Sequence, residues 1–268
     1  MNINIMEANM SMLINVKKLT LLVSISMLSI LALSAELTIY CEYFPPLQSQ
    51  EKDGSLSGFV VEVVKEIQKR IGNTDKIQLV PWARGLNELD TKPNVVLFSM
   101  SRTGERNPLY QWIGPVKESS FIFYAKAGSD IKIKSLDDAK KLTKVGVYNK
   151  DVRDLYLTSQ GFKNLERSPD NVTSVKKLMG GRLDVVADSD DSIDGIIADA
   201  GFKKGDLVPL YTFMKSQLYI VMSKSTPSAT VKQWNDALAG MKKDGSFAKL
   251  HRKFFPGAAL PGPAIEKF

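Results

Sequence analysis

The chain has 268 residues, with 36 Lys and Arg against 29 Asp and Glu, for a net charge of +7. Its 44% hydrophobic and 24% charged content is that of an ordinary globular protein and excludes a disordered or collagen-like chain. One Cys and one His exclude an internal disulfide and a zinc site built from Cys and His ligands. A nucleophile that needs a histidine base could use only His251, which lies in the basic amphipathic stretch 249–255 and reads as a surface or helix-end residue.

Lys17 and Lys18 precede an apolar run over residues 19–33, followed by the small residues Ser34 and Ala35. A positive start, a short apolar core and a small-residue exit describe a secretory signal peptide over residues 1–35, cleaved near Ala35. Met12 is an alternative start. No second apolar stretch of ~20 residues follows, so the remainder reads as an exported, periplasmic domain without a membrane span.

Beyond the signal, strands and helices alternate. Residues 37–41 form a short strand that ends at Pro45 and Pro46, and Cys41 reads as a small buried strand residue. Val60, Val63, Val64, Ile67 and Ile71 mark one face of a helix stopped by Gly72. Strands at 77–80 and 95–98 flank a short helix from Gly85 to Leu89. Past Trp112-Ile-Gly-Pro115 come a strand at 121–124, a helix at 136–142 and a strand at 144–147. Helices at 151–160 and 172–179 lead to strands at 183–187 and 218–222. Val231, Trp234, Leu238 and Met241 share a helix face, Phe247, Leu250 and Phe254 line a last helix, and the Gly/Pro-rich tail from Pro256 is expected to be loose. The alternation predicts an α/β architecture with largely parallel sheets, in two lobes with a ligand cleft between them.

Three segments carry candidate chemistry. Ser99-Met-Ser-Arg-Thr-Gly-Glu-Arg106 follows the third strand directly, where open α/β sheets bind ligands. Ser99, Ser101 and Arg106 would suit a carboxylate, which an arginine clamps through paired charge-assisted bonds; a solvated turn with surface arginines fits the same spacing. Phe44, beside Tyr43, and Trp82 follow the first two strands and could sandwich a ligand, or fill the core. Arg84 adds a possible second cation. In the second block, Tyr148 and Asp151 precede a helix, with Asp151 as its N-cap or first-turn acid. Asp184, Asp188, Asp190, Asp191 and Asp194 cluster at a strand end and could hold an ammonium group; their spacing lacks the glycine and terminal glutamate of a calcium loop, so no metal is expected. No Lys/Arg-rich run with interleaved aromatics suggests nucleic acid.

Together, Phe44-Pro-Pro46, Gly58-Phe-Val-Val-Glu62, Trp82, Thr103-Gly-Glu-Arg106, Gly181-Arg-Leu-Asp184 and Asp244-Gly-Ser-Phe-Ala-Lys-Leu250 before Phe254 and Phe255 resemble a periplasmic solute-binding protein of ABC importers. The resemblance is to the polar amino acid type (bacterial extracellular solute-binding protein family 3) and runs from about Leu37 to Phe255. It implies a two-lobed type II fold with two mixed sheets joined by a two-strand hinge near 117–121 and 216–220. Lobe 1 would comprise 36–120 and 216–268, and lobe 2 would be 121–215.

The same resemblance implies that Arg106 grips the ligand carboxylate, that Ser99 and Ser101 assist, and that Phe44 and Trp82 form aromatic walls. It also implies a monomer that delivers a carboxylate-bearing solute to a membrane permease, without cofactor or catalysis. Two positions depart from the family pattern. Lys150-Asp151 stands where a Gly-Thr turn is usual, and Ser189 aligns with the aspartate that usually takes the α-amino group, with Asp188 and Asp190 beside it. Either a neighbouring aspartate has taken over, or the ligand is not a standard α-amino acid. Two other functions remain open on this scaffold: a dehydratase of cyclohexadienyl acids, with Glu42, Lys150 or Asp188 as its acid, and a ligand-presenting sensor protein.

Overall fold

A computed structural model describes residues 36–265, so the signal segment lies outside the described residues. In chain order the elements are β1 (Thr38–Cys41), β2 (Ser49–Gln50), β3 (Leu56–Ser57), α1 (Phe59–Ile71), β4 (Ile77–Leu79), α2 (Trp82–Thr91), β5 (Val95–Ser101) and β6 (Tyr110–Lys126). They continue as α3 (Leu136–Lys140), β7 (Val145–Tyr148), α4 (Val152–Ser159), β8 (Leu165–Ser168), α5 (Asn171–Met179), β9 (Val185–Ser189), α6 (Ile193–Asp199), β10 (Leu207–Ser223), α7 (Ser228–Lys243) and α8 (Ser246–Phe254). Among the described residues no helix is long and apolar enough to cross a membrane.

Eight strands form one mixed sheet in the order β4-β1-β5-β10-β6-β9-β7-β8, and β2 pairs with β3 in a small antiparallel hairpin. β4, β1 and β5 are parallel, as are β9, β7 and β8. The two parallel groups are joined by β6 and β10, an antiparallel pair of 17 residues each that runs from Leu207 opposite Lys126 to Ser223 opposite Tyr110. The two mixed halves expected from the sequence are thus continuous through one hydrogen-bonded ladder.

β6 and β10 are far longer than the segments 121–124 and 218–222 that their sequence marks. Pro115 and Pro209 interrupt the apolar pattern, and Pro inside a strand ordinarily argues against one. The ladder accommodates this with register shifts near Pro209, Thr212 and Leu218.

The core is divided by segment. Val60, Val63, Val64 and Ile67 of α1 are fully buried against Ile39, Phe98, Ile220, Trp234 and Phe247. Burial of such side chains contributes about 1.5–3 kcal/mol each, which fixes α1, α7 and α8 on the first half of the sheet. Gly72 ends α1 in the left-handed conformation, at φ 71°, where it has no Cβ penalty. A second set, including Phe123, Val145, Val147, Leu157, Val185 and Phe213, packs around the other half. Contacts across the middle are numerous enough that residues from Glu36 onward form one compact unit.

Two expectations are corrected here. His251 is at the C-terminal turn of α8 but is fully buried rather than on the surface, enclosed by Phe59, Phe247 and Phe255 with ring centroids 5.3–6.5 Å away. Burial and the nearby Lys117 push its pKa down, so the ring is neutral. The tail is not loose. Gly262 N donates to Glu118 Oε1 at 3.0 Å, Gln217 Nε2 donates to Pro263 O at 2.8 Å, and Ile265 N donates to Gln217 Oε1 at 3.1 Å. Gly and Pro lower the helical and strand propensity of the tail, but they leave carbonyls and N–H groups available to two polar side chains on β6 and β10. Cys41 is buried in β1, as expected, and is a free thiol.

Candidate functional site

The C-terminal ends of β1, β4, β5 and β7 converge on one small cavity, as open α/β sheets dispose their ligand sites. Glu42 and Phe44 follow β1, Trp82 opens α2 after β4, Ser99 and Ser101 end β5, and Arg106 closes the turn after it. From the other half come Phe121 of β6 and Asp151, Val152 and Arg153 at the start of α4. The enclosed volume is about 10 Å³, room for roughly one water. A groove of about 580 Å³ around Pro93, Leu109 and Lys224 is larger, but the buried charges converge on the small cavity.

Arg106 is held by local geometry. Its backbone N donates to Thr103 Oγ1 at 3.2 Å, and its Nη1 reaches Ser101 O at 3.4 Å. The guanidinium lies 5.7 Å from the Trp82 ring centroid, a cation–π distance. Only 6% of the residue is exposed, and Nη2 has no hydrogen-bond partner among the described residues. Burial pulls its pKa down in spite of the attraction of Asp151, so the charge is held at a cost. Ser99 is strained beside it, at φ 65°, and its hydroxyl accepts a 2.5 Å bond from Gln48 Nε2. A left-handed non-glycine residue is the kind of strain that collects at ligand sites.

The opposite wall is more acidic. Asp151 caps α4 and its Oδ1 accepts from Arg153 N at 2.8 Å and Arg153 Nε at 2.5 Å. Arg153 Nη1 also donates to Asp188 Oδ1 at 2.6 Å, so one guanidinium is shared by two carboxylates. These two anions outweigh complete burial and hold the Arg153 proton more tightly than usual. Glu42 behaves oppositely. Burial, with Asp151 adding repulsion, pushes its carboxyl up to about 8, so it is protonated at neutral pH.

Direct bonds cross between the halves both beside the β6–β10 ladder, where Lys117 Nζ pairs with Asp191 Oδ1 at 2.9 Å and Ser120 N donates to Asp190 Oδ1 at 2.9 Å, and around the cavity. Trp82 N donates to Tyr148 Oη at 3.2 Å, Trp82 Nε1 donates to Lys150 O at 3.3 Å, and Tyr43 Oη donates to Asp199 Oδ2 at 2.5 Å. Glu42 and Tyr148 also line a second, mostly apolar cleft of about 450 Å³ with Leu79, Pro81, Asn171 and Ile196.

The structure brings Phe44, Trp82, Ser99, Ser101, Arg106 and Asp151 to one cavity, with Tyr148 against its Trp82 wall. Arg84 is exposed on α2 and does not line it. Ser189 is fully buried, its Oγ accepting from Asp191 N at 3.1 Å, and Asp188 is bonded into the Arg153 cluster. Sequence reasoning missed Arg153 and Phe121. An arginine two residues past a helix cap and a phenylalanine in an apolar strand carry no distinguishing signal before folding.

Comparison with known proteins agrees with this geometry. The sequence profile of bacterial extracellular solute-binding proteins, family 3, matches residues 37–257. The chain belongs to that family. Among curated relatives, the L-cystine-binding protein TcyJ of Escherichia coli (strain K12) is 29% identical over 217 residues, covering 79% of each chain. Among solved structures, a histidine kinase sensor domain with similarity to periplasmic binding proteins superimposes with a TM-score of 0.76 at 20% identity, covering 84% of this chain and 99% of that one. An ancestral arginine-binding protein bound to arginine gives a TM-score of 0.72 at 24% identity, covering 82% and 98%. These likenesses establish a periplasmic-binding-protein fold. Lys150 keeps a left-handed backbone at φ 60°, a conformation that glycine adopts without a Cβ penalty.

Proposed function

We propose that this family member is exported to the periplasm by a cleaved signal peptide and, as a monomer without catalysis, captures a small carboxylate-bearing solute for an ABC permease. The observation that carries this reading is the Arg106 guanidinium, buried at the ends of the strands with Nη2 unpartnered among the described residues. A buried cation without a full set of acceptors is a receptor for an anion that brings its own. Ser99 and Ser101 assist from β5, while Phe44 and Trp82 enclose the solute.

The two-lobe division, 36–120 with 216–268 against 121–215, is supported by two clusters of buried residues that each stay within one lobe, while Tyr148 alone packs across into the cluster of Trp82 and Tyr219. A 10 Å³ cavity admits no amino acid, so entry requires the halves to part about β6 and β10 near 117–121 and 216–220. The Tyr43–Asp199 and Trp82–Lys150 bonds then act as latches of the closed form. A thermal-shift screen over amino acids and short organic acids tests the proposal. A ligand at 100 times its Kd stabilises by roughly 2.7 kcal/mol. The reading fails if no carboxylate-bearing compound produces a shift.

One observation favours a second reading. A carboxyl pushed up to about 8 and lining the cavity, as Glu42 is, suits a general acid, as a dehydratase of cyclohexadienyl acids needs. Formation of an aromatic product from prephenate or arogenate, lost in Glu42→Gln, would establish it.

A further inference from the structure

The family profile ends at residue 257, and the described residues beyond it are bound to the sheet. They dock where β6 and β10 cross from one half to the other. Glu118 and Gln217 are cross-strand partners in that ladder, and both reach the tail. Gly262 N and Gln217 Nε2 each donate to Glu118 Oε1 at 3.0 Å. Gln217 Nε2 also donates to Pro263 O at 2.8 Å, while its Oε1 accepts from Tyr219 Oη at 2.9 Å and from Ile265 N at 3.1 Å. A glutamine amide has two donors and two acceptor sites, so all four on this buried side chain are filled, two of them by the tail.

The root of the tail is tied to the other half. Phe255, just after α8, holds its ring centroid 4.8 Å from Lys117 Nζ. That ammonium pairs with Asp191 Oδ1 at 2.9 Å, both side chains almost wholly buried, and Ser119 Oγ donates to the other oxygen of Asp191. Three consecutive residues of β6 are thus gripped from outside the ladder, Lys117 and Ser119 by the second half and Glu118 by the tail. Leu218, next to Gln217, lines the cavity with Phe121. A rotation of the halves about 117–121 and 216–220 turns Gln217 and Glu118 against their tail partners and draws Asp191 from Lys117.

We infer that residues 258–265 are a strap that stabilises the closed form and so lengthens the residence of a bound solute. The inference rests on the reading that the halves part about β6 and β10. Opening leaves the Gln217 amide short of partners, a penalty that falls on the open form alone. Such a device slows escape whether the empty protein is mostly open or mostly closed; it changes affinity only where the empty protein is mostly open.

The test compares the mature chain (residues 36–268) with one ending at residue 257 and with Gly262→Pro. The proline removes the N–H that Glu118 accepts and leaves the hinge residues unaltered. The twenty standard L-amino acids and L-cystine are screened by titration calorimetry. Dissociation of the tightest is followed by stopped-flow tryptophan fluorescence, since Trp82 lies in the cavity wall. Shortening should speed escape at least about 5-fold, the equivalent of roughly one net hydrogen bond, and Gly262→Pro at least about 2-fold. Spin labels on Arg84→Cys and Pro169→Cys, exposed positions on the two halves, report opening, while Cys41 is buried and stays unlabelled. The empty shortened chain should show longer or broader label separations than the empty full chain.

Unchanged or slower escape overturns the inference. Where no probe binds, identical separations in the two empty chains overturn it, and Gly262→Pro decides where the shortened chain does not fold. If the full chain keeps one separation whether empty or holding a probe, the hinge reading falls and the strap with it. If the full chain closes on a probe and the shortened chain releases it no faster, the hinge stands and only the strap falls.

Discussion

Replacing Arg106 by methionine should make the ligand-free protein more stable while destroying its affinity. In the folded chain the guanidinium is almost wholly buried, with one weak bond to Ser101 O at 3.4 Å and Nη2 unpartnered among the described residues. An unsatisfied buried polar group costs about 1–3 kcal/mol, and more when it is charged. Against that stand the Trp82 contact at 5.7 Å, worth roughly 0.5–1 kcal/mol, and the attraction of Asp151. Burial pulls the Arg106 pKa down, outweighing the attraction of Asp151 and the other nearby acidic groups.

Methionine fills similar length without a charge, so the net gain is about 1–2 kcal/mol. For a domain of this size it raises Tm by about 2–8 °C. Truncating one member of a buried, hydrogen-bonded charge pair costs about 2–5 kcal/mol of binding, or roughly 30-fold to several thousand-fold in Kd. Differential scanning calorimetry without ligand, and titration calorimetry with it, measure both quantities. A variant that melts lower and still binds would refute the assignment of a poised, unpaired cation, because it would show that Arg106 is a structural residue with its needs already met.

Other changes test other parts of the fold. Glu42 is raised from 4.5 to about 8, so the stability it contributes is complete below pH 4.5 and is lost as pH rises through about 8. Glu42→Gln should therefore flatten the fall in stability between about pH 4.5 and 8 in urea unfolding; an unchanged slope would mean the carboxyl is already ionised at neutral pH. Gly58 has φ 115°, and a Cβ there would lie 2.5 Å from the Leu47 carbonyl oxygen. Gly58→Ala should cost about 2 kcal/mol or more, read as a lower midpoint in chemical denaturation. Ending the chain at residue 255 removes three tail hydrogen bonds to Glu118 and Gln217. These bonds are only partly buried, so the loss is about 1–2 kcal/mol. Hydrogen exchange should rise at 117–121 and 216–220, and unaltered protection there would show the tail to be a bystander.

The proposed closure would also depend on polar contacts that a ligand does not make. Tyr43 to Asp199, Trp82 to Lys150 and Trp82 to Tyr148 join residues before 120 to residues after 145, and Trp82 and Tyr148 also share a buried cluster with Tyr40 and Tyr219. Such bonds are worth about 0.5–1.5 kcal/mol each, enough to populate a closed form and too little to prevent opening. A binding protein needs that balance, since contacts that held the halves shut would also exclude the solute.

Local sequence determined the alternation of short apolar strands with amphipathic helices, because side-chain periodicity reports which face of each segment leaves water. It also placed Phe44, Trp82 and Arg106 just beyond strand ends, and Ser99 and Ser101 at the end of β5, which in a parallel α/β sheet is enough to bring them together. The lengths of β6 and β10 were not legible, because their outer portions are polar and proline-interrupted and are held by each other rather than by propensity. Only the tertiary structure decided that one arginine bridges two aspartates. Asp151 and Asp188 look alike in sequence, and 35 residues separate Arg153 from Asp188, whose Oδ1 it bonds as it bonds that of Asp151. The same holds for His251 and for the tail. An amphipathic pattern cannot reveal three aromatic rings closing over an imidazole, and a run of Gly and Pro cannot reveal a glutamine on β10 waiting to receive it.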